Sequence, residues 1–459
     1  MNGPDTFHDN ARAALADASL QARLARTLKD GFRKKRLKGM GRMPEYDALR
    51  DRARDIKADA LDRLDALLVE FEANVVEAGG HVHWARDGAE ARDIILTICK
   101  DAGAKTVTKG KSMITEEIGL NAHLSANGIT PVETDLGEYI IQLRNEPPSH
   151  IVAPAFHLSK EQVAETFKAC HDGLDADRDL SDPHALLVEA RARLRATFLA
   201  ADVGITGANI LVAETGTALI VTNEGNGDLT QTLPPVHVAV ASLEKIVPTL
   251  EDATTLLRLL PRTATGQDVT VYTTFFTGAK RGDDLDGPRD FHVVVLDHGR
   301  SELLGTEFRD ILRCIRCGAC INHCPIYAAT GGHAYGWVYP GPMGSVLTPF
   351  FKGLEAAHPL PSACTGCGRC AEVCPVRIPV PDLLRRWRVR AFAAGMGGAA
   401  IRWGLGLWAF AARRPGLYRL ATRVAARILK RMAGKPGALE RLSAPQGETF
   451  FERYKRGER

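Results

Sequence analysis

Eight of the ten cysteines in this chain fall between positions 314 and 374, in two runs of identical spacing. They read Cys314-x-x-Cys317-x-x-Cys320-x-x-x-Cys324-Pro325 and Cys364-x-x-Cys367-x-x-Cys370-x-x-x-Cys374-Pro375. Three thiolates on one tight loop can cap three corners of an iron–sulfur cubane. The fourth cysteine, on the departing helix, points away and reaches a second cubane. The spacing therefore predicts two [4Fe–4S] clusters. One takes Cys314, Cys317, Cys320 and Cys374, and the other takes Cys364, Cys367, Cys370 and Cys324. Zinc is the alternative, but it needs four ligands only, and a doubled four-cysteine run with proline exceeds that. The prolines redirect the chain and remove an N–H donor. Gly318, Ala319, Gly366 and Gly368 are small enough to let backbone N–H groups approach the cluster sulfurs.

Disulfides are a poor account of these cysteines. The chain is 459 residues long, 45% hydrophobic and 25% charged, so it can bury a core without covalent staples. Its polar start shows no charged-then-apolar leader, and no run reaches the ~18 apolar residues of a spanning helix. The expected location is the cytoplasm. Cys99 and Cys170 stand alone.

Four regions are expected. Residues 1–80 read as helices, with Ile56, Ala60, Leu64, Leu67, Leu68 and Phe71 at three- and four-residue spacing before Gly79-Gly80. The basic run FRKKRLK (32–38) is read as a solvated helix face. Residues 81–300 alternate β-rich runs (HVHWA, TVTKG, ITPVE, HIVAP, ANILVAE, TALIVTN, HVAVAS, VTVYTTF, HVVVLD) with helical stretches, which argues for a layered α/β domain rich in parallel sheet. The turn Glu214-Thr215-Gly216-Thr217 implies a hairpin. Residues 301–390 hold the cysteines and a Gly/aromatic insert, GGHAYGWVYPGPMG (331–344), which either shields the clusters, offers a docking surface, or packs on its own domain. Residues 391–459 form a basic helical tail broken by Gly395, Gly397, Gly398 and Pro415. From Leu383 to Leu439 there are thirteen Lys and Arg and no acid, so with +4 overall the rest of the chain carries −9 (+4 less 13). Such a tail suits an acidic partner or the anionic inner face of a membrane, or else packs on the cysteine region with its arginines in solvent. No nucleic-acid module is recognisable.

Chemistry in the α/β domain is expected at strand ends. Lys109 and Lys111, with backbone N–H groups near Ser112 at a helix start, form a candidate anion site. Polar clusters at 133–138, 214–217 and 223–226 could together line a pocket, with Glu214 or Glu224 as nucleophile or base if the domain were an enzyme by itself. His150, His157 and His237 have no metal-ligand spacing and are read as structural.

In order along the chain, the blocks KGKSMITEEIGLN, ETDLGEYIIQL, PSHIVAPAFH, ADVGITGAN, AETGTALIVTNEGN, RTATGQ, CIRCGACINHCPIY and GGHAYGWVYPGPMG resemble the lactate utilisation protein B family. The resemblance runs from about residue 40 to 390. It implies a LUD domain, similar in fold to sugar-isomerase and CoA-transferase domains, followed by an α-helical two-cluster ferredoxin module. It also implies two partners, a cysteine-rich-domain subunit and a smaller LUD-domain subunit, and a shared conversion of L-lactate to pyruvate with a downstream electron acceptor. On that basis the chain is expected to be the electron-transfer component of a multi-subunit L-lactate dehydrogenase. The rival classes are a stand-alone transferase or isomerase and a redox-sensing regulator. At Asp297-His298-Gly299-Arg300 the family usually has Asn second, and His also tolerates a left-handed turn.

Overall fold

A computed structural model describes residues 3–175, 177–396, 398–432 and 450–457. Gly397 and the stretches 433–449 and 458–459 of the basic tail lie outside the described residues. The chain forms two compact units, Met1–Arg388 and Val389–Arg459. The boundaries expected near 80 and 300 therefore fall inside one unit.

Ten strands follow in chain order: β1 (His81–Ala85), β2 (Thr106–Lys109), β3 (Thr130–Glu133), β4 (Val203–Gly207), β5 (Ile210–Val212), β6 (Thr217–Thr222), β7 (Val236–Ser242), β8 (Ile246–Val247), β9 (Tyr272–Phe276) and β10 (Asp290–Leu296). Six of them make a parallel sheet in the order β1-β10-β7-β4-β2-β3. A sheet covered on both faces favours continuous apolar runs, and β7 is buried at every residue. One face packs on Ala91, Ile95 and Cys99 of the helix Gly88–Asp101, and the other on Leu67, Phe71 and Val75 of Leu64–Glu77. A smaller sheet, β8-β5-β6-β9, contains the expected hairpin, with β5 antiparallel to β6 around Gly216.

One expected strand is absent, and one strand was not expected. HIVAP (150–154) is a loop, because the His150 ring turns back and accepts from Val152 and Ala153 N–H while its other nitrogen meets Asn322 Oδ1 at 2.9 Å. β4, a central strand, carries glycines that weaken the strand signal. A Cβ at Gly204 would lie 1.8 Å from the Thr230 carbonyl, so the sheet tolerates only glycine there.

The N-terminal helices belong to the cysteine region. Arg50, on Tyr46–Asp62, donates to the carbonyls of Cys374 and Glu372. The run 32–38 is only partly solvated. Lys34, Lys35 and Lys38 are exposed, but Arg36 is buried beside Tyr46 and the Val373 carbonyl, and Arg33 donates to the Asn322 carbonyl at 2.7 Å. One hydrophobic core accordingly runs from Phe7 through Leu256 to Trp387. Among the described residues no helix is long and apolar enough to cross a membrane.

Candidate functional site: two thiol-lined hollows beside an α/β cleft

The two cysteine loops share one backbone shape. Arg316 and Gly366, at matching positions, have φ of 58° and 72°, and Gly318 and Gly368 have 75° and 78°. This left-handed turn aims the Arg316 N–H at Cys314 Sγ (3.5 Å) and the Gly366 N–H at Cys364 Sγ (3.3 Å). The Ile378 N–H approaches Cys374 Sγ at 3.3 Å.

Both loops contribute thiols to each of two hollows. Cys314, Cys317, Cys320 and Cys374 line one, with Ile311, Ile315 and Val380 around them. Cys364, Cys367, Cys370 and Cys324 line the other, with Tyr335, Leu360 and Leu384. Cys370 also reaches the wall of the first. Among the described residues no three His, Cys, Asp or Glu side chains converge at the reach of a single metal ion. The sulfurs instead surround space of the kind a polynuclear group fills. Burial pushes the Cys317 and Cys370 thiols up to about 12 and raises Cys320 well above the ordinary thiol value, with neighbouring cysteines adding repulsion. Packed thiols of this kind gain a compensating charge when iron replaces their protons. The donor set, the hollow and the aimed N–H groups all fit an iron–sulfur group.

The Gly/aromatic insert packs inward. Tyr335, Trp337, Val338 and Tyr339 are buried, and Gly344 admits the Tyr339 carbonyl where a Cβ would stand 1.6 Å away. Tyr335 walls the second hollow, so the insert both packs on its own unit and shields thiols, and these aromatics offer no docking surface.

A cleft opens beyond the carboxyl ends of β2, β4 and β7. Gly110, Lys111 and Ser112 contribute from the turn after β2, Gly207 from β4, and Ser242 and Lys245 from β7 and the turn after it; Arg316, Cys317 and Tyr339 complete it from the cysteine region. Of the candidate anion site, Lys111 and Ser112 line this cleft and Lys109 does not. Lys109 is fully buried, with Nζ donating to Glu116 (2.8 Å) and Thr115 (2.8 Å) and paired with Glu133 (2.6 Å). These three use all its donors. Burial opposes its charge, but the two glutamates prevail and its pKa is raised. Ser112 caps the helix Met113–Glu117, whose five residues are too few to offer an anion-binding terminus of their own.

Of the polar clusters, 133–138 supplies Asp135, and 223–226 supplies Asn223, Glu224 and Asn226; cluster 214–217 lies elsewhere. Glu214 is exposed and accepts from the Leu250 N–H at 2.6 Å, capping the helix Leu250–Thr265, so it is no nucleophile in this cleft. Glu224 stands at the mouth, where enclosure by the cleft walls and repulsion from Asp135 raise its pKa. The three histidines are held structurally: His150 on Asn322, His157 on Ser149 and Glu146, His237 on Thr206. Cys99 is in the core, and the exposed Cys170 faces the Leu143 carbonyl.

Sequence reasoning missed the buried charges that join the two regions. Glu117 accepts from Arg300 (2.6 Å), Tyr339 (2.7 Å) and His298 (2.9 Å). Arg300 Nε lies 3.2 Å from Glu244, whose other oxygen accepts from Arg316 at 3.4 Å. Lys57 donates to the Glu244 and Ile246 carbonyls, and burial lowers its pKa to about 7. Lys245 is lowered to about 8 by burial and by repulsion from Arg316, against the pull of Glu244. His298 does take the left-handed turn, with φ of 51°.

The comparisons with known proteins agree with this division. The LUD domain matches residues 68–296, and the 4Fe-4S dicluster domain matches residues 310–378, so the chain is an iron–sulfur protein. A lactate utilization protein B of Macrococcus caseolyticus is 44% identical over 84% of this chain and 80% of its own length. Another, of Geobacillus sp. (strain WCH70), is 39% identical over 98% of each. An uncharacterized electron transport protein of Escherichia coli, YkgF, is 43% identical over 84% of this chain and 80% of its own. Among solved structures, a DUF162 family protein from Deinococcus radiodurans covers 51% of this chain and 98% of its own at 15% identity, with a TM-score of 0.27 that carries no argument. With near-full-length relatives at this identity, and both domains in the expected order, the chain belongs to the lactate utilization protein B family.

Proposed function

We propose that the chain is the electron-transfer subunit of a complex that oxidises L-lactate to pyruvate, with two [4Fe–4S] clusters on the exchanged cysteine sets. The carrying observation is the pair of four-thiol hollows that meet at Cys370. When bound, a [4Fe–4S] cluster takes up and returns one electron at a time. Lactate gives two electrons and two protons on becoming pyruvate, so two adjacent sites suit splitting the pair. The chain's own residues keep the thiols dry with Ile311, Tyr335 and Leu360, and the N–H groups of Arg316, Gly366 and Ile378 favour added negative charge at the sulfurs. Relatives named for lactate utilization and for electron transport support the reading. The partners are a cysteine-rich-domain subunit and a smaller LUD-domain subunit, with an electron acceptor downstream. The isolated chain is expected to form no pyruvate from L-lactate, and the three proteins with an acceptor are expected to form it steadily. Pyruvate production by this chain alone, or by a complex lacking it, would remove the relay role.

The tail is assigned to an anionic surface at the inner face of the membrane. In the second unit the helices Ala399–Ala412 and Pro415–Met432 expose Trp403 (80%), Leu407 (72%) and Trp408 (61%) together with Arg419, Arg423 and Arg427. Aromatic residues and arginine in one helix pair suit the headgroup region. Truncation after Ala394 should abolish flotation with phosphatidylglycerol vesicles at low salt. Flotation of the full chain should weaken as salt rises. Equal flotation of both forms would sink this assignment.

A further inference from the structure

The relay between the two hollows makes no use of the α/β cleft, yet the cleft ends on Cys317. Arg316, beside it, also lines the cleft. Its backbone φ of 58° is one that a side chain adopts at a cost, and the matching place in the second loop is Gly366, which adopts it freely. The first loop bears that cost and keeps an arginine, and the cation it keeps faces the cleft.

A second cation stands near it. Lys245 feels the charge of Arg316 directly, and it makes no hydrogen bond or ion pair among the described residues. Glu244, the acid adjoining both, is already engaged by Arg300 and Arg316. Lys111 is a third cation of the cleft, and its Nζ is buried without a hydrogen-bond partner. The carboxylates of the lining lie toward Lys111 and are otherwise committed. Asp135 accepts from the N–H groups of Gly137 and Glu138, and Glu224 from that of Leu136 at 3.3 Å. Glu138 and Glu224 feel the Lys111 charge, but neither accepts from it. Lys111 Nζ, held below the surface without a partner, is costly unless a ligand supplies the missing charge, and the half-buried Lys245 adds a second uncommitted cation to the same lining.

We propose that the inner end of this cleft binds a small carboxylate, the 2-hydroxy acid substrate or its 2-oxo product, with the carboxylate on Lys245 and Arg316 and the remainder against the Cys317 wall. The anion preference rests on the cations; the 2-hydroxy acid class rests on the lactate reading above. The site places substrate in this subunit, beside the first thiol set and away from the second.

The test is anaerobic titration calorimetry of the iron-loaded full chain with L-lactate, pyruvate and inorganic phosphate. Lactate and pyruvate are expected to bind. Lys245→Gln should weaken both by about tenfold or more, since a charge-assisted hydrogen bond is lost. Lys245→Arg should restore most of the affinity. Iron content and thermal melting of each variant report whether it has folded. Pyruvate should also alter one of the two reduced-cluster paramagnetic signals, the one missing in Cys374→Ser. No binding of either acid, binding of phosphate alone, or acid affinity unchanged in Lys245→Gln would overturn the proposal. Assembled with its partners, a Lys245→Gln complex that oxidises lactate with unchanged KM would sink the cleft and leave the lactate reading intact. A wild-type complex inert toward lactate would sink that reading, and the titration would still decide the cleft.

Discussion

Replacing Cys374 by serine should remove the iron–sulfur group held by the first cysteine run and spare the one held by Cys374's own loop. Cys374 is in the wall of the hollow made by Cys314, Cys317 and Cys320, while Cys364, Cys367 and Cys370 surround the other with Cys324. The wild-type chain should carry about eight irons and eight acid-labile sulfides, and the variant about four of each if the damaged group is lost outright. Cys324→Ser is the mirror experiment and should remove the other group. The backbone around Cys374 is pinned by Arg50, which donates to its carbonyl at 2.8 and 3.0 Å, so the substitution disturbs the ligand and little else. Spectra of the two reduced variants should each retain one of the two wild-type signals, and a different one. Loss of the signal belonging to the second run in Cys374→Ser would refute the exchange of fourth ligands.

The gathering of the eight cysteines was legible because their spacing is a local property. Three thiols in one loop and a fourth on the next helix depend on a dozen neighbouring residues, not on the rest of the fold. The α/β class was legible for a similar reason, since buried parallel strands announce themselves as short β-branched runs. Where glycine replaced such residues, as at Gly204 and Gly207 in β4, the signal vanished although the strand is central. His150 to Pro154 has strand-like composition, and its conformation is decided instead by a contact with Asn322, far along the chain.

Lys109 and Lys111 show the limit most clearly. Two positions apart in sequence, they are equivalent as anion ligands. In the sheet, Lys109 lies in register with Glu133 of the neighbouring strand, and that pairing takes it out of the cleft. Only the alignment of β2 with β3 decides this, and two parallel strands joined by a crossover do not advertise their register. Lys245 and the Glu117–Arg300–Glu244 chain were invisible for the same reason. Arg316 did leave a trace. It stands where the repeated loop has Gly366, and a comparison of the two cysteine runs position by position brings it out.

The Glu117–Arg300 pair joins the α/β domain to the cysteine region, and removing either member should destabilise the chain strongly. Glu117 lies on the short helix behind the cleft, Arg300 begins the helix Arg300–Leu304 that leads to the cysteines, and Tyr339 closes the cluster from the insert. Both charged side chains are essentially inaccessible. Burial opposes the charge on Glu117, but Arg300, His298 and Tyr339 prevail and lower its pKa to about 2. Its stabilising contribution is thus fully present at neutral pH and is lost only as the solution falls from the ordinary carboxylate range toward about 2. Glu117→Gln leaves the buried Arg300 with Glu244 as its one carboxylate, and Arg300→Met leaves the buried Glu117 with His298 and Tyr339 but no guanidinium. Each should cost ~3–5 kcal/mol in equilibrium denaturation at neutral pH, the usual penalty for breaking rather than replacing a buried pair. The double variant should cost less than the sum, because neither charge is then stranded. Glu244 keeps Arg316 in either background, so the iron content of folded protein should hold. Single variants within 1 kcal/mol of wild type, or losses that simply add, would show that the two regions are held together by their shared apolar core and not by this ion pair.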